Sequence, residues 1–381
     1  MKPLTAWHLL SGPRGRRFLM EFARTSEQLL RNPDDRPFHE AEFWGSYRMQ
    51  PPGAAGMLFG TGSESPPTVT PAEVARALDA VPLLEANEEN LRPGLADAAA
   101  LARYWQVPDG TDALAATDEL REALHRVAEH VVSSPEAQRW VQPVQLQDQH
   151  VVHWEGERAP SVLADVPAAL EAWRHEALKA EVRDNQPQYR KITAGVSGEW
   201  WSFPLTQGHS LLTSTASFSD GSPAGLWWVE DPFDWEAATT RGLELPSAAA
   251  GLRILEITGP EVWAGLCWRY PLEVTYQKRH DWYRTTGREG RWIIPDWYQV
   301  AQDYDAVHLT TACYVQAAGT AIPVEVSGAS AQAEGAEYAS VIAGWHPDQT
   351  YWFTSQLALS DRVRSWVLDG DGPVTRWLPS S

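Results

Sequence analysis

Hydroxyl, indole and carboxylate side chains fall together in one stretch of the second half of the chain. Its candidate ligand contacts are Ser214, Thr215, Trp227 and Trp228, and its candidate catalytic residues are Glu230 and Asp231. Hydroxyls on a strand could orient a ribose while an indole ring stacks on a base, because indole combines a large apolar face with an N–H donor. Glu230 or Asp231 could then act on the bound molecule. The alternative is an ordinary half-exposed strand, where Ser and Thr are common.

Histidines lie close to carboxylates in a second stretch. His280 precedes Asp281, and Asp305 stands shortly before His308. Such neighbours can do acid–base chemistry, because histidine titrates near neutral pH. We therefore assign a catalytic role to His280 and ligand contacts to Asp305 and His308. The run 280–284, which we predict to lie in a loop, could equally form a structural clamp.

Familiar cofactor and catalytic motifs are incomplete. The segment from Gly60 to Gly62 begins like a dinucleotide fingerprint, but it lacks the third glycine and lies in a Pro-rich stretch. Residues 195–198 fall one residue short of a nucleophile elbow. His150 and His153 would point to opposite faces of a strand, which argues against a shared metal ion. The sequence therefore predicts no metal site and no certain cofactor.

Charge limits the classes of partner. The 381 residues carry a formal net charge of −19, which argues against nucleic acid, because phosphate binding needs a clustered basic face. One basic cluster, Arg14, Arg16 and Arg17, is interpreted as a solvated turn before a helix, with an anion contact as the alternative. We expect the partner to be a small molecule or nucleotide, and the oligomeric state stays open.

Hydropathy and cysteine content bear on localisation. No run of the sequence approaches the roughly 18 apolar residues that span a bilayer, and the N-terminal stretch lacks the pattern of a signal peptide. Cys267 and Cys313 both stand among apolar residues, so we expect buried, reduced thiols. These features predict a cytoplasmic protein that does not bind membranes.

Tryptophan is unusually abundant. Six of the 20 tryptophans lie before residue 190, and fourteen lie between Trp200 and Trp377. A dense set of indole rings is typical of wide cores or of surfaces that stack on planar ligands and sugars. We expect most of them in the core, because large apolar pockets are few in any protein.

Hydrophobic periodicity and capping residues predict the elements that would position these side chains. Helices are predicted at 16–31, from Thr70 with its Pro71 and Glu73, and at 94–105, 117–132, 167–181, 260–270 and 296–303. Strands are predicted at 144–147, 150–154, 199–206, 209–218, 226–230, 252–258, 305–310 and 339–344.

The order of these elements indicates an α+β fold. Residues 1–190 should form an Ala-rich, mostly helical domain with a Pro/Gly/Ser-rich loop at 50–68. Residues 191–381 should form a Trp-rich domain of mixed or antiparallel strands with short helices. We expect the ligand or active site in this second domain, because it holds the chemically useful clusters.

Several short motifs follow one another between about residues 195 and 355. They are Gly225-Leu226-Trp227, Asp234-Trp235, Leu252–Ile257, Pro260–Trp263, Asp296-Trp297, Tyr304–Val307, Trp345–Asp348 and Tyr351-Trp352. This order resembles a family of uncharacterised phage and bacterial proteins, whose layout is similar to the ADP-ribosyltransferase fold.

The resemblance implies two small antiparallel sheets that clamp nicotinamide adenine dinucleotide, which would be a substrate. Arg190 or His209 would hold the dinucleotide, and Ser214-Thr215 would support it. Displacement of nicotinamide through an oxocarbenium-like state would depend on positioning and on a carboxylate. No Glu-x-Glu stands at a matching place in this chain, so Glu230 or Asp231 would supply that carboxylate.

Two other classes of function compete with this transferase-like enzyme. One is a non-catalytic, Trp-lined module for a small molecule or sugar, and the other is an interaction protein that docks through its helical half. A pocket with two or more converging ionisable groups would favour the enzyme, whereas an aromatic groove without them would favour the module.

Overall fold

The structure is a computed structural model that describes residues 2–51, 67–204, 211–245, 251–325, 337–370, 372 and 374–380. Most of the loop predicted at 50–68, and the candidate ligand contact His209, lie outside the described residues. Within the described ranges the chain forms fourteen α-helices and three four-stranded sheets. This confirms the α+β class.

Nine helices precede residue 190 in the described chain. They are Ala6–Ser11 (α1), Pro13–Leu30 (α2), Pro37–Met49 (α3), Pro71–Asp79 (α4), Glu88–Ala100 (α5), Gly110–Ala115 (α6), Asp118–Val132 (α7), Pro135–Gln138 (α8) and Val166–Asp184 (α9). Five more follow: Ala224–Trp227 (α10), Pro260–Arg269 (α11), Thr275–Thr286 (α12), Trp297–Asp303 (α13) and Thr311–Ala317 (α14).

Local capping signals explain where several helices begin. The Thr70 side chain accepts a hydrogen bond from the Glu73 backbone N–H, and the Glu73 carboxylate accepts one from the Thr70 N–H at 2.8 Å. This reciprocal pair confirms the predicted start of α4. The helix predicted at 94–105 instead runs over Glu88–Ala100. The Asn87 side chain caps its beginning by accepting a hydrogen bond from the Asn90 N–H.

The basic cluster near the N-terminus is not the solvated turn that the sequence suggested. Proline at the first helical position starts α2 at Pro13, which places Arg14 and Arg17 inside the helix and buries both. Arg14 forms an ion pair with Asp112 of α6, and Arg17 lies 3.0 Å from an Asp109 oxygen. Partners so distant in sequence leave no local signal, which is why this prediction was wrong.

Twelve strands lie in the described ranges. They are His150–Trp154 (β1), Thr213–Ser214 (β2), Ala237–Glu244 (β3), Ile254–Ile257 (β4), Pro271–Glu273 (β5), Arg291–Pro295 (β6), Ala306–Leu309 (β7), Ile322–Val324 (β8), Tyr338–Ser340 (β9), Thr350–Trp352 (β10), Ala358–Asp369 (β11) and Arg376–Ser380 (β12).

These strands make three sheets. Sheet A has the order β1-β3-β11-β12 and is antiparallel throughout. Sheet B has the order β2-β10-β7-β4, with β4 and β7 parallel, and sheet C has the order β5-β6-β9-β8, with β6 and β9 parallel. The expectation of mixed and antiparallel sheets is therefore confirmed.

Several predicted strands are absent or shorter. No strand forms at 144–147, since residues 146–147 lie in a turn and the Val144 N–H donates to the Glu256 carboxylate rather than to a strand. The strand predicted at 226–230 is replaced by α10, where Pro223 presets the chain for a helical turn. The strand predicted at 209–218 shrinks to β2, and the described residues 199–204 contain none. The strands predicted at 150–154, 252–258 and 305–310 are confirmed as β1, β4 and β7.

One buried cluster of side chains runs through both halves of the chain. Leu9 and Phe18 belong to it together with Trp263 and Trp345. Sheet A also joins the halves, since β1 pairs along β3. The two halves therefore pack against each other along one continuous core.

Both cysteines are buried and neither forms a disulfide, as expected from their apolar surroundings. Burial raises the pKa of the Cys267 thiol to about 12, and it also raises that of Cys313. Among the described helices, none combines the length and the apolar character that crossing a membrane requires.

Candidate ligand-binding site

A cavity of about 440 Å³ lies between helices α2, α3 and α5 and one end of sheet A. Its aromatic wall consists of Trp154, Trp227, Phe233, Trp235 and Trp377. We call it the aromatic cavity. Trp154 and Trp235 stack with ring centroids 4.6 Å apart and planes 7° from parallel. The set therefore presents indole rings in a fixed arrangement around an open space.

The sheet fixes the positions of these rings. Trp154 is the last residue of β1, opposite Ala238 on β3, and Trp377 lies on β12. The two indole centroids are 5.5 Å apart. Trp235 stands just before β3, and its ring stacks on that of Trp154. These rings meet only because β1, β3, β11 and β12 pair in one sheet.

Trp227 forms the boundary of the aromatic cavity at the end of α10. Its indole N–H donates to the Ser222 hydroxyl at 3.0 Å, and the Arg92 guanidinium lies 4.6 Å from the ring centroid. A further cavity of about 350 Å³ adjoins it and shares Trp227 and Trp377 as walls. The half-buried Trp227 therefore stands between two openings.

The opposite wall is polar and comes from the helices. Arg24, Arg36, His39 and Asp97 all line it. Arg24 forms an ion pair with Glu21 and lies 3.8 Å from Asp97. Asp97 is 51% exposed and lines the cavity. Withdrawal from bulk water and the nearby Glu21 raise the pKa of Asp97 to about 6, against the effect of Arg24.

A third cavity, of about 540 Å³, lies on the other side of α5 and contains more ionisable groups. Its wall includes the carboxylates Asp148 and Asp348 and the indole of Trp228. Asp148 accepts hydrogen bonds from the backbone N–H and the hydroxyl of Ser217, and it lies 2.9 Å from a His150 ring nitrogen. Asp348 accepts from the Ala216 N–H at 2.9 Å, so both carboxylates are held in place by their neighbours.

His308 lies beneath this third cavity between two carboxylates. Parallel pairing of β4 and β7 sets it opposite Glu256, with Nδ1 2.5 Å from Oε2. Its Nε2 lies 3.3 Å from Asp348, whose φ of 61° is rare for a residue other than glycine. Burial lowers the pKa of His308, but the Asp348 and Glu256 carboxylates outweigh it and raise the pKa to about 9. His308 is 1% exposed, so Asp348 is the member of this group that reaches the cavity.

The other predicted hydroxyl residues hold the backbone together. The buried Ser214 donates to Gln149 at 2.6 Å and accepts from the Trp352 indole at 2.8 Å. Thr215 accepts from the Gly225 N–H at 2.8 Å. Neither residue lines the three cavities described above.

The predicted carboxylates stand apart from the aromatic cavity. Glu230 is buried, and Oε2 accepts from the Gly344 N–H at 2.7 Å. Asp231 accepts from the Trp105 indole at 3.1 Å and lies 3.4 Å from Arg103. Asp305 forms an ion pair with Arg253 at 3.0 Å. Each of these three carboxylates therefore has its own partners, and none of them lines the aromatic cavity with Trp227.

His280 lies in helix α12, not in the predicted loop, because residues 275–286 continue as one helix up to Gly287. Its two ring nitrogens lie 3.0 and 3.1 Å from the carbonyl oxygens of Ile192 and Tyr189. Neighbouring Asp281 accepts from the Gly198 N–H. This arrangement is the structural clamp that the sequence left as an alternative. Arg190 is exposed beside it, away from the cavities.

Sequence reasoning selected Trp227 but missed most of the aromatic cavity. Trp235 appeared only within the Asp234-Trp235 motif, and Trp154 and Trp377 only in the tryptophan count. Their shared feature is that each lies on or beside a strand of sheet A. Arg24, His39 and Asp97 carried no signal, because they are isolated ionisable residues on three different helices of the first half.

No family model, curated protein or solved structure matches the chain. The resemblance to ADP-ribosyltransferases therefore stays an expectation from the motifs. Within the described ranges, no group of three or more His, Cys, Asp and Glu side chains is arranged to hold a metal ion.

Proposed function

We propose that the protein binds a small molecule with a flat aromatic ring in the aromatic cavity. The observation that carries the proposal is the wall of five aromatic side chains, of which Trp154, Trp227 and Trp235 are only half-buried. A half-buried indole beside an open space leaves apolar surface that a ring of the ligand would cover. Most tryptophans of this chain, by contrast, are core residues such as Trp263 and Trp297.

The size and composition of the aromatic cavity support the same function. Its volume of about 440 Å³ falls within the range of roughly 300–1,000 Å³ that is usual for small-molecule sites. Such sites are mostly apolar, with a few polar groups that fix the orientation of the ligand. Arg24, Arg36, His39 and Asp97 would be those groups here.

The proposal can be tested by tryptophan fluorescence and thermal shift with indole, adenosine, glucose and nicotinamide adenine dinucleotide as probes. We expect an aromatic probe to quench fluorescence and, at a hundred times its Kd, to stabilise the fold by about 2.7 kcal/mol. Phe233→Ala and Trp235→Ala should weaken this binding at least several-fold. Phe233 is 74% exposed, so its truncation removes ring contact with little effect on the core.

Trp268→Ala provides the matched control. Trp268 is 44% exposed on α11 and does not line the aromatic cavity. Binding that responds equally to all three substitutions, or no binding of any aromatic probe, would overturn the proposal. Binding of glucose alone would identify a sugar module instead.

The transferase-like enzyme is the second candidate, and the 540 Å³ cavity is the observation that favours it. Carboxylates from Asp148 and Asp348 converge there with Trp228 and Arg92, as ionisable groups do in enzyme sites. Measuring the nicotinamide released from the dinucleotide would test this candidate, because that release accompanies the transfer of ADP-ribose to an acceptor or to water. An Asp348→Asn variant should then lose turnover but keep the binding of indole.

A further inference from the structure

We propose that the ligand of the aromatic cavity carries an acidic group, a carboxylate or a phosphate, which lies against Arg36 and His39. This inference rests on the proposed function and specifies the class of ligand. The aromatic wall alone would accept any flat ring, whereas the helical wall opposite it discriminates by charge.

The charge balance of the cavity is the reverse of that of the chain. The protein has a formal net charge of −19, yet two arginines and a histidine line this one space. Asp97 is the one acid among the described lining residues. Arg24 lies 3.8 Å from it and is also paired with Glu21, so Arg24 is already committed to these carboxylates.

Arg36 and His39 are not committed in the same way. Arg36 donates one hydrogen bond, to the Gln28 carbonyl at 3.3 Å, and none of the ion pairs among the described residues includes it. The His39 backbone N–H donates to Glu27 at 2.8 Å, but the ring has no hydrogen-bond partner among the described residues. A guanidinium in a cavity wall without an anion is suited to a carboxylate or phosphate, which it can bind with two parallel hydrogen bonds.

The beginning of helix α3 places these two side chains together. Arg36 is the N-cap residue and His39 lies in the first turn. The Glu27 carboxylate already accepts from the backbone N–H groups of Phe38 and His39. An acidic ligand would therefore be held by side chains, while the helix backbone stays occupied by Glu27.

The test compares each neutral probe with its acidic analogue: indole with indole-3-acetate, and adenosine with adenosine monophosphate. We expect the acid to bind the full-length protein about tenfold more tightly than the neutral molecule, the effect of one charge-assisted hydrogen bond. The two pairs of probes distinguish a carboxylate from a phosphate. Raising the salt concentration should reduce the difference within each pair.

Arg36→Gln and His39→Gln should remove most of this difference, because each weakens the binding of the acidic probe far more than that of its neutral analogue. Arg76→Gln is the matched control, because Arg76 is exposed on α4 and outside the cavity. Equal affinity for acid and neutral probes would overturn this inference while the proposed function stands. So would an Arg36→Gln variant that behaves like Arg76→Gln. Failure of every probe to bind would overturn both.

Discussion

Glu230 is a buried carboxyl group at the meeting point of the two halves of the chain. Its Oε2 accepts from the N–H of Gly344, whose φ of 78° suits glycine, and the hydroxyls of Tyr104 and Tyr314 lie beside it. Burial raises the pKa of Glu230 to about 8, and the nearby Tyr314 and Tyr104 hydroxyls and the Gly344 N–H only partly counter it. The group therefore keeps its proton at neutral pH, which suits a structural role.

We expect Glu230→Gln to flatten the pH dependence of stability. The folded protein holds this proton more tightly than the unfolded chain, so the free energy of unfolding should fall as pH rises from about 4.5 to about 8. The loss between pH 5 and pH 8 is on the order of 3 kcal/mol, and glutamine cannot ionise. Urea unfolding at these two pH values measures it.

Asp231→Asn is the control for this measurement, because Asp231 is adjacent but 32% exposed. A Glu230→Gln variant with the same pH slope as the wild type would contradict the prediction.

For single residues, the sequence predicted which side chains can do chemistry more easily than it predicted their roles. Ser214, Glu230 and His280 were selected by type, yet all three are buried among backbone and side-chain partners. A sequence shows that a residue can ionise or donate, but burial depends on packing by residues far along the chain. Glu230 meets Gly344 across more than a hundred positions.

Strands β4 and β7 show how an element creates a charged group that no motif reveals. Their parallel register sets Glu256 opposite His308, and Asp348 approaches from the turn before β10. The imidazolium is stabilised by two carboxylates, although it is fully buried. Asp348 is the member of this group that lines the 540 Å³ cavity.

We expect His308→Gln to destabilise the protein most at low pH. Because the folded pKa is raised from 6.5 to about 9, the stabilisation is complete below pH 6.5 and is lost as pH rises through 9. The variant should be less stable than the wild type by on the order of 3 kcal/mol at pH 6, and by much less at pH 10.

Chemical denaturation of both proteins at pH 6 and pH 10 provides the comparison. His125→Gln serves as the control, because His125 is 61% exposed on α7. A stability difference for His308→Gln that does not shrink with rising pH would show that the two carboxylates do not hold a charged ring.

Helices were predicted well where the signal is local. Thr70 and Glu73 cap α4 within four residues of sequence, so the pattern alone determines the start. Arg14, by contrast, was interpreted as solvated because Asp112 lies 98 positions away. The short helix α10 was predicted as a strand, since its apolar run has the length of a strand.

At the scale of the whole molecule, the candidate site belongs to both halves. The sequence placed the ligand site in residues 191–381, and the aromatic cavity takes Trp227 and Trp235 from there but Arg24 and Asp97 from the first half. Composition showed that tryptophan is unusually abundant and concentrated in the second half. It could not show which rings share a cavity, because sheet A brings Trp154 and Trp377 together from more than two hundred positions apart.

The continuous core predicts that the two halves unfold together, although the sequence suggested a domain boundary at 190/191. Trp140 and Trp228 contact each other across that boundary, and β1 supplies an edge strand to sheet A. A break there would expose these indoles and leave β3 unpaired on one side.

Two spectroscopic signals distinguish the outcomes, because helices α1–α9 precede the boundary while fourteen of the 20 tryptophans follow it. We expect helical circular dichroism and tryptophan fluorescence to report one coincident transition in urea. Separate midpoints, or a fragment 191–381 that unfolds cooperatively alone, would show instead that the halves are independent.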